Sequence, residues 1–283
     1  MTAPTTTASL SNDTIYNENC LDTMGRMPDG FVDLTVTSPP YDDLRTYNGY
    51  SFDFENVARE LFRVTKRGGV AIWIVGDSTA NGSETCTSFR QALFFRDIGF
   101  NIHDTMVYQK ANCIPLTHRR YEQAFEFMFC FSKGRPKTFN PIMIPCKNAG
   151  KLEKYGQDRR LNHGKNHAMR LYAQTTYKAT RSHKQATNIF SYSVGEKTGH
   201  PAAFPTQLAH DQITTWSNPG DLVYDPFMGS GTVAKCCRTL NRSYIGSEIS
   251  KEYCEIAARR VDGVKSNTRA DPNNNTLEGV ANQ

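Results

Sequence analysis

The sequence predicts an α/β fold, a doubly wound and mostly parallel sheet assembled from two stretches of chain around a long insertion. Three observations predict it. Strand-like and helix-like segments alternate over about 14–133 and again over about 200–262. A glycine-rich turn joins a strand to a helix at 225–232. Between the regular stretches, 134–198 is irregular and basic. The chain has 283 residues, 38% hydrophobic and 22% charged. It is long enough to bury a sizeable core and too apolar for a wholly disordered polymer.

The elements follow in order. Pro28-Asp29-Gly30 reads as a turn into a buried strand, Phe31 to Thr37, stopped by Pro39 and Pro40. Val57, Leu61, Phe62 and Val64 lie near helical spacing in 54–65, and Gly68-Gly69 should end that helix. VAIWIV (70–75) is a second strand running into Gly76-Asp77. Ser88 to Asp97 is a helix closed by Gly99, and 101–109 and 124–132 are further strands. The last of these, AFEFMFCFS, is apolar throughout and suits mid-sheet. After the insertion come a helix at 206–216, a strand at 222–224, a helix at 232–240, a strand at 243–246 and a helix from Ser250 to about Val261. Residues 1–14 and 263–283 are polar and are expected to be a disordered leader and tail.

No apolar run approaches the roughly 20 residues that span a bilayer, and the polar N-terminus has no secretory pattern. Eight cysteines without a CxxC pair imply a reduced, cytoplasmic protein. The charge is uneven. Lys133–His200 holds 14 Lys or Arg against 3 Asp or Glu, whereas the rest holds 19 against 25. A basic block on an acidic body is the footprint expected for a polyanion. His163, His167 and His183 fall in that block, where phosphate contact or plain exposure fits better than metal ligation, and no metal is assigned.

Two loops carry chemistry. Asp225-Pro226-Phe227-Met228-Gly229-Ser230-Gly231-Thr232 follows a strand and opens a helix, and Gly229 and Gly231 permit a tight turn and close ligand approach. Glu248 ends the next strand, where a carboxylate can accept both ribose hydroxyls of a nucleoside. That arrangement alone also fits a nicotinamide or flavin oxidoreductase. The second loop, Thr37-Ser38-Pro39-Pro40-Tyr41, sits at the carboxyl end of a parallel strand, where open α/β sheets bind ligands. Two prolines stiffen it and remove two N–H donors. It therefore presents acceptors, the Ser38 hydroxyl and backbone carbonyls, beside the Tyr41 ring. Such a cradle suits a planar ring with an exocyclic NH2.

Together these motifs resemble the exocyclic-amine DNA methyltransferases that use S-adenosylmethionine, in the β-class order. There a [DNS]PP[YF] motif comes first, a target-recognition region follows, and an FxGxG motif lies near the C-terminus. Tyr121 to Gly134, His200-Pro201-Ala202-Ala203-Phe204-Pro205 and Tyr244-Ile245-Gly246-Ser247-Glu248 match further family segments, and the likeness spans about 15–262. The resemblance implies a Rossmann-like methyltransferase sheet with an inserted target-recognition region at 134–198. It implies catalytic Ser38, Pro39, Pro40 and Tyr41. It implies an S-adenosylmethionine site from Thr37, His200, Pro201, Phe204, Asp225, Phe227, Gly229, Ser230, Gly231, Thr232 and Glu248. One departure stands out, since Glu18-Asn19 occupies the place of a frequent Gly-Asp pair.

The expected substrate is double-stranded DNA, with the target base flipped into the Ser38–Tyr41 pocket. Arg119, Arg120, Lys133, Arg135, Arg159, Arg160, Arg170 and Arg181 are the expected DNA contacts. Ser at the first motif position and the HPAxFP segment lean toward cytosine N4, whereas the β-class order leans toward adenine N6. Adenine is set slightly ahead. The family implies a homodimer and a modifying enzyme that acts alone or beside a separate restriction endonuclease. A DNA-binding regulator without catalysis would leave the tetrapeptide unused. An RNA-modifying relative more often carries Asn at the first motif position.

Overall fold

A computed structural model describes residues 9–40, 53–112, 120–154, 177–179, 181–193 and 204–264, with backbone alone at 152–154 and 177–179. The elements are β1 (Thr14–Tyr16), α1 (Cys20–Gly25), β2 (Val32–Thr37), α2 (Phe54–Val64), β3 (Thr65–Val75), β4 (Thr79–Ala80), β5 (Ser83–Glu84), α3 (Thr87–Asp97), β6 (Asn101–Lys110) and β7 (Phe125–Ser132). Then come β8 (Met143–Pro145), β9 (Leu152–Lys154), β10 (Tyr177–Ala179), β11 (His183–Gln185), β12 (Ile189–Tyr192), α4 (Thr206–Trp216), β13 (Leu222–Asp225), α5 (Thr232–Thr239), β14 (Ser243–Ser247) and α6 (Lys251–Asp262).

Eight strands form one sheet in the order β1-β14-β13-β2-β3-β7-β6-β12. Only β7, among the described strands of that sheet, runs against its neighbours, pairing antiparallel with β3 and β6. The uninterrupted apolar run of β3 reflects burial on both faces. Val70, Ile72 and Ile74 pack with Leu208, Ile213 and Val233 of α4 and α5. Ala71, Trp73 and Val75 pack on the other side with Met24, Leu61 and Phe95 of α1, α2 and α3. This is the doubly wound sheet that the sequence predicts.

Several boundaries differ from the sequence reading, for identifiable reasons. Helix α2 ends at Val64, before the Gly68-Gly69 pair expected to end it, and β3 starts at Thr65, with the two glycines in an irregularity where the pairing with β2 passes from Val32–Thr65 to Leu34–Val70. A Cβ on Gly69 would lie 2.9 Å from the Asp33 carbonyl, so glycine permits close strand approach there. Residues 9–14 are held in place. Asp13 exchanges hydrogen bonds with Tyr244 at 2.7 and 3.1 Å, and Leu10 packs on the core. Strand β12 lies in the stretch read as insertion, yet it pairs with β6 and extends the sheet.

The chain divides into a larger unit, 1–140 with 187–270, and a smaller one built on 141–186. The smaller unit contains two antiparallel pairs, β8 with β11 and β9 with β10. Among the described residues no helix is long and apolar enough to cross a membrane.

Candidate active site

The carboxyl ends of the parallel strands β14, β13, β2 and β3 bring together Glu248, Asp225, Ser38 and Asp77. The two predicted loops meet through a buried bond: Thr37 Oγ1 donates to Asp225 Oδ1 at 2.7 Å across 188 residues of sequence. Thr37 is fully buried, so it acts through Asp225. Beyond it, Pro39 is buried while Ser38 and Pro40 are half-buried. Tyr41, His200 and Pro201 lie outside the described residues. Phe204 is half-buried against the core beside Pro205, which precedes α4.

The glycine loop is held by its own backbone. Phe227 N–H donates to Asp225 Oδ1 at 3.0 Å, Met228 N–H to Ser247 O at 2.9 Å, and Gly229 N–H to Glu248 Oε2 at 2.8 Å. Gly229 and Gly231 have φ of 50° and 80°, a conformation that favours glycine. At Gly231 packing adds a second reason: a Cβ there would lie 2.7 Å from Ala257 Cβ of α6. The sequence read both glycines as room for a ligand, but Gly231 also makes room for a helix.

Ser230 and Thr232, expected at the cofactor, turn their hydroxyls toward Arg260 of α6. Its guanidinium donates to Ser230 O at 2.5 Å and Ser230 Oγ at 2.8 Å, with Thr232 Oγ1 at 3.4 Å. Both side chains are buried. Their loop is therefore positioned from behind by Arg260, a residue that no spacing rule singles out. Asp77 was likewise read only as a strand end. It is 8% exposed, and it accepts the Ser88 N–H at 2.9 Å and the Ser88 hydroxyl at 2.5 Å. It thereby anchors the first turn of α3, whose own cap residue, Cys86, makes no side-chain capping bond.

Among the described residues, the two carboxyls of the site, Asp225 and Glu248, form no ion pair with a Lys or Arg. Burial pushes the Asp225 carboxyl up to about 7; nearby Glu248 adds to this, and the bonds from Thr37 and Phe227 only partly offset it. Burial also raises Glu248, against the N–H groups of Ser250 and Gly229. Each Glu248 oxygen accepts one of these bonds, at 2.8 Å, and retains a lone pair for a further donor. Glu18, at the position of the family's frequent Gly-Asp, is bonded instead to Arg26 and to Thr23 Oγ1.

The expected DNA contacts separate. Lys133 and Arg135 follow β7, whose end pairs with the amino half of β3 (Ser132 with Val70), remote from Ser38. The Lys133 ammonium donates to Phe62 O at 2.7 Å and Arg63 O at 3.3 Å, and it lies 4.5 Å from the Phe62 ring centroid. It closes the last turn of α2. Arg120 is exposed and bonds Gly82 O in the β4–β5 turn, which follows the carboxyl end of β3. Arg181 is exposed in the smaller unit. Arg119, Arg159, Arg160 and Arg170 lie outside the described residues. Among the described residues no group of three His, Cys, Asp or Glu is placed to hold a metal.

A doubly wound sheet with a glycine loop, a strand-end carboxylate and an acidic, acceptor-lined cradle defines a nucleoside-binding α/β enzyme. These acceptors fit a nucleoside that carries vicinal hydroxyls and positive charge. A family model described as DNA methylase, of the N6/N4 methyltransferase class, matches residues 32–259, and the chain belongs to this family. Its cofactor is S-adenosylmethionine.

Among relatives, the orphan methyltransferase M.BamHII of Bacillus amyloliquefaciens is 50% identical over 246 residues, covering 81% of this chain and 88% of that one. The type II methyltransferase M.BglII of Bacillus subtilis is 27% identical, covering 93% and 72%. Among solved structures, the cytosine-N4-specific PvuII DNA methyltransferase superposes with a TM-score of 0.65 at 20% identity, covering 92% and 89%. M1.HpyAVI in complex with SAM gives 0.56 at 24%, covering 87% and 98%. These two likenesses bear on the fold.

Proposed function

We propose that this DNA methyltransferase modifies the N4 amine of a cytosine flipped out of duplex DNA, with Ser38-Pro39-Pro40-Tyr41 as the catalytic loop. One observation carries the placement: the Thr37–Asp225 bond of 2.7 Å, which joins the strand leading into Ser38 to the strand leading into the glycine loop. The acceptor cradle and the nucleoside site are thereby neighbours. S-adenosylmethionine, when bound, supplies an electrophilic methyl group on a sulfonium centre.

The chain's own part is positioning. An exocyclic amine is a weak nucleophile because its lone pair is delocalised into the ring. Ser38 Oγ and the Pro39 carbonyl each accept one N–H, so the nitrogen pyramidalises and frees that lone pair. Tyr41 stacks on the base. Pro39 and Pro40 hold the acceptors rigid, so little reorganisation is needed during the reaction. Glu248 accepts from the ribose hydroxyls, and the glycine loop, whose Phe227, Met228 and Gly229 N–H groups are bonded within the protein, holds that carboxylate in place.

The sequence alone sets adenine slightly ahead. Ser38 at the first motif position supports cytosine, and the PvuII enzyme of similar fold is named cytosine-N4-specific. The 50% relative is named an orphan methyltransferase, which supports a modifying enzyme without its own endonuclease.

The test is Ser38→Ala with tritiated cofactor and duplex DNA. Methyl transfer should fall about 10²- to 10³-fold, while stabilisation by S-adenosylhomocysteine persists. Hydrolysed product should carry the label in N4-methylcytosine. Unchanged turnover removes Ser38 from the reaction, and label in N6-methyladenine returns the assignment to adenine.

A further inference from the structure

The smaller unit carries its own signal. In the pair β8–β11, Met143 faces Gln185, Ile144 faces Lys184 and Pro145 faces His183. The ladder continues at both ends, through Ala186 N–H to Ile142 O at 2.8 Å and Cys146 N–H to Ser182 O at 2.9 Å. This is a two-stranded antiparallel ribbon, and side chains alternate between its faces. His183 and Gln185 therefore share one face with Met143 and Pro145, while Lys184 and Ile144 share the other. His183, Lys184 and Gln185 are all exposed.

Over 141–154 and 177–186 the sequence has six Lys or Arg (147, 151, 154, 178, 181, 184) against the single acid Glu153. That charge complements a polyanion. A two-stranded ribbon is one of the shapes that the major groove of B-DNA admits.

Geometry and chemistry then select the face. Same-face residues two apart on a strand are about 6.8 Å apart, which matches two steps of about 3.4 Å along a DNA strand. Gln presents an amide that can bond an adenine edge bidentately, and apolar groups such as Met143 can meet a thymine methyl. His183 Nδ1 lies 3.1 Å from Ser182 Oγ, which orients the ring and leaves Nε2 for a base edge.

We propose that the β8–β11 ribbon enters the major groove of the substrate duplex, and that His183 and Gln185 are specificity-determining residues facing base pairs two steps apart. The inference rests on the reading of the chain as a duplex-DNA enzyme and adds to it the recognition element and its residues.

The experiment uses the full chain as wild type, His183→Ala, Gln185→Ala and Lys184→Ala. Two readouts are taken on a library of duplex sequences: binding competition by fluorescence anisotropy, and methylation by modified-base sequencing. Gln185→Ala and His183→Ala should each relax discrimination about tenfold to hundredfold at one base pair, the two positions lying two apart. Lys184→Ala, on the opposite face, should leave the sequence preference intact. Retention of the wild-type preference by both His183→Ala and Gln185→Ala, in binding and in methylation, overturns the ribbon assignment. So does a uniform loss of binding across all sequences. A wild-type chain that binds duplexes selectively but transfers no methyl group overturns the reaction instead, and the ribbon is then judged on binding alone.

Discussion

Asp33 and Asp225 make the instructive comparison. They lie on the neighbouring strands β2 and β13, and they are 5% and 2% exposed. Asp33, toward the amino end, is met by Lys66 Nζ at 2.6 Å, Lys137 Nζ at 2.8 Å and the Leu222 N–H at 3.1 Å. Burial works against its charge, but Lys137, Lys66 and Leu222 together hold its carboxyl below the ordinary range. Asp225, at the carboxyl end, has a hydroxyl and an N–H as partners, and its carboxyl rises to about 7. Among the described residues, one end of the sheet thus neutralises its own acid, and the other holds acids without a Lys or Arg partner. Active sites are where perturbed carboxyls of the second kind concentrate.

The largest effect should come from breaking the closed end. Asp33→Ala removes the acceptor of two ammonium groups and leaves the Leu222 N–H without its partner. Losing one side of a buried ion pair typically costs about 3–5 kcal/mol. Here the two lysine side chains are 38% and 50% exposed and can return to water, so about 2–3 kcal/mol is expected. Thermal unfolding should show a Tm lower by about 5–10 °C. The sign with pH follows from the depressed carboxyl. Its stabilisation is present above the ordinary Asp range and is lost as pH falls through the native value, so wild type and variant should converge in acid. A gap that persists unchanged into strong acid would mean that packing, not charge, carries the cluster.

The open end should answer with the opposite sign. A carboxyl raised to about 7 from 3.8 makes the native state progressively less stable as pH rises between those values, and the penalty is complete above 7. Its ceiling is about 4 kcal/mol. Asp225→Asn keeps an acceptor for Thr37 and Phe227 and does not titrate, but its buried NH2 forfeits about 1–3 kcal/mol. The variant should therefore be about 1–3 kcal/mol less stable than wild type at pH 3 and about 1–3 kcal/mol more stable at pH 8. Denaturant melts at both pH values check this. A pH-independent difference would show that Asp225 is ionised in the native chain, and the contrast with Asp33 would vanish.

This contrast also marks what the sequence could and could not show. Helices such as 54–65 and 206–216 and the strand at VAIWIV were legible because periodicity and caps are local. Strand β1, of three residues, and α1, of six, are too short for any period to register. Strand β12 hid inside a basic stretch because its pairing with β6 is a tertiary fact. The Ser-Pro-Pro-Tyr tetrapeptide, the glycine loop and Glu248 were readable as motifs, since each needs particular residues in fixed order. The Thr37–Asp225 bond, the Arg260 brace and the two lysines on Asp33 were not, because they join residues 28 to 188 positions apart. The bonds from Lys133 to the end of α2 were hidden for a related reason: a lone basic residue carries no sign of which carbonyls it will reach.

The smallest effect sharpens the comparison most. Lys137→Met removes one of the two ammonium groups from Asp33, at a side chain 50% exposed. Asp33 retains Lys66 at 2.6 Å and the Leu222 N–H, so the loss should be below about 1 kcal/mol, as for an exposed pair. Lys66→Met should behave alike. The informative quantity is their coupling. With both lysines gone, a buried carboxylate is left without a cation, and burial alone then raises Asp33 as it raises Asp225. The double variant should lose about 1 kcal/mol more than the two single losses together. Its stability should also begin to fall with rising pH, as it does on account of Asp225. Strictly additive losses with an unaltered pH profile would mean that the lysines are not what separates the two aspartates, and the difference between the ends of the sheet would have to come from the depth of burial alone.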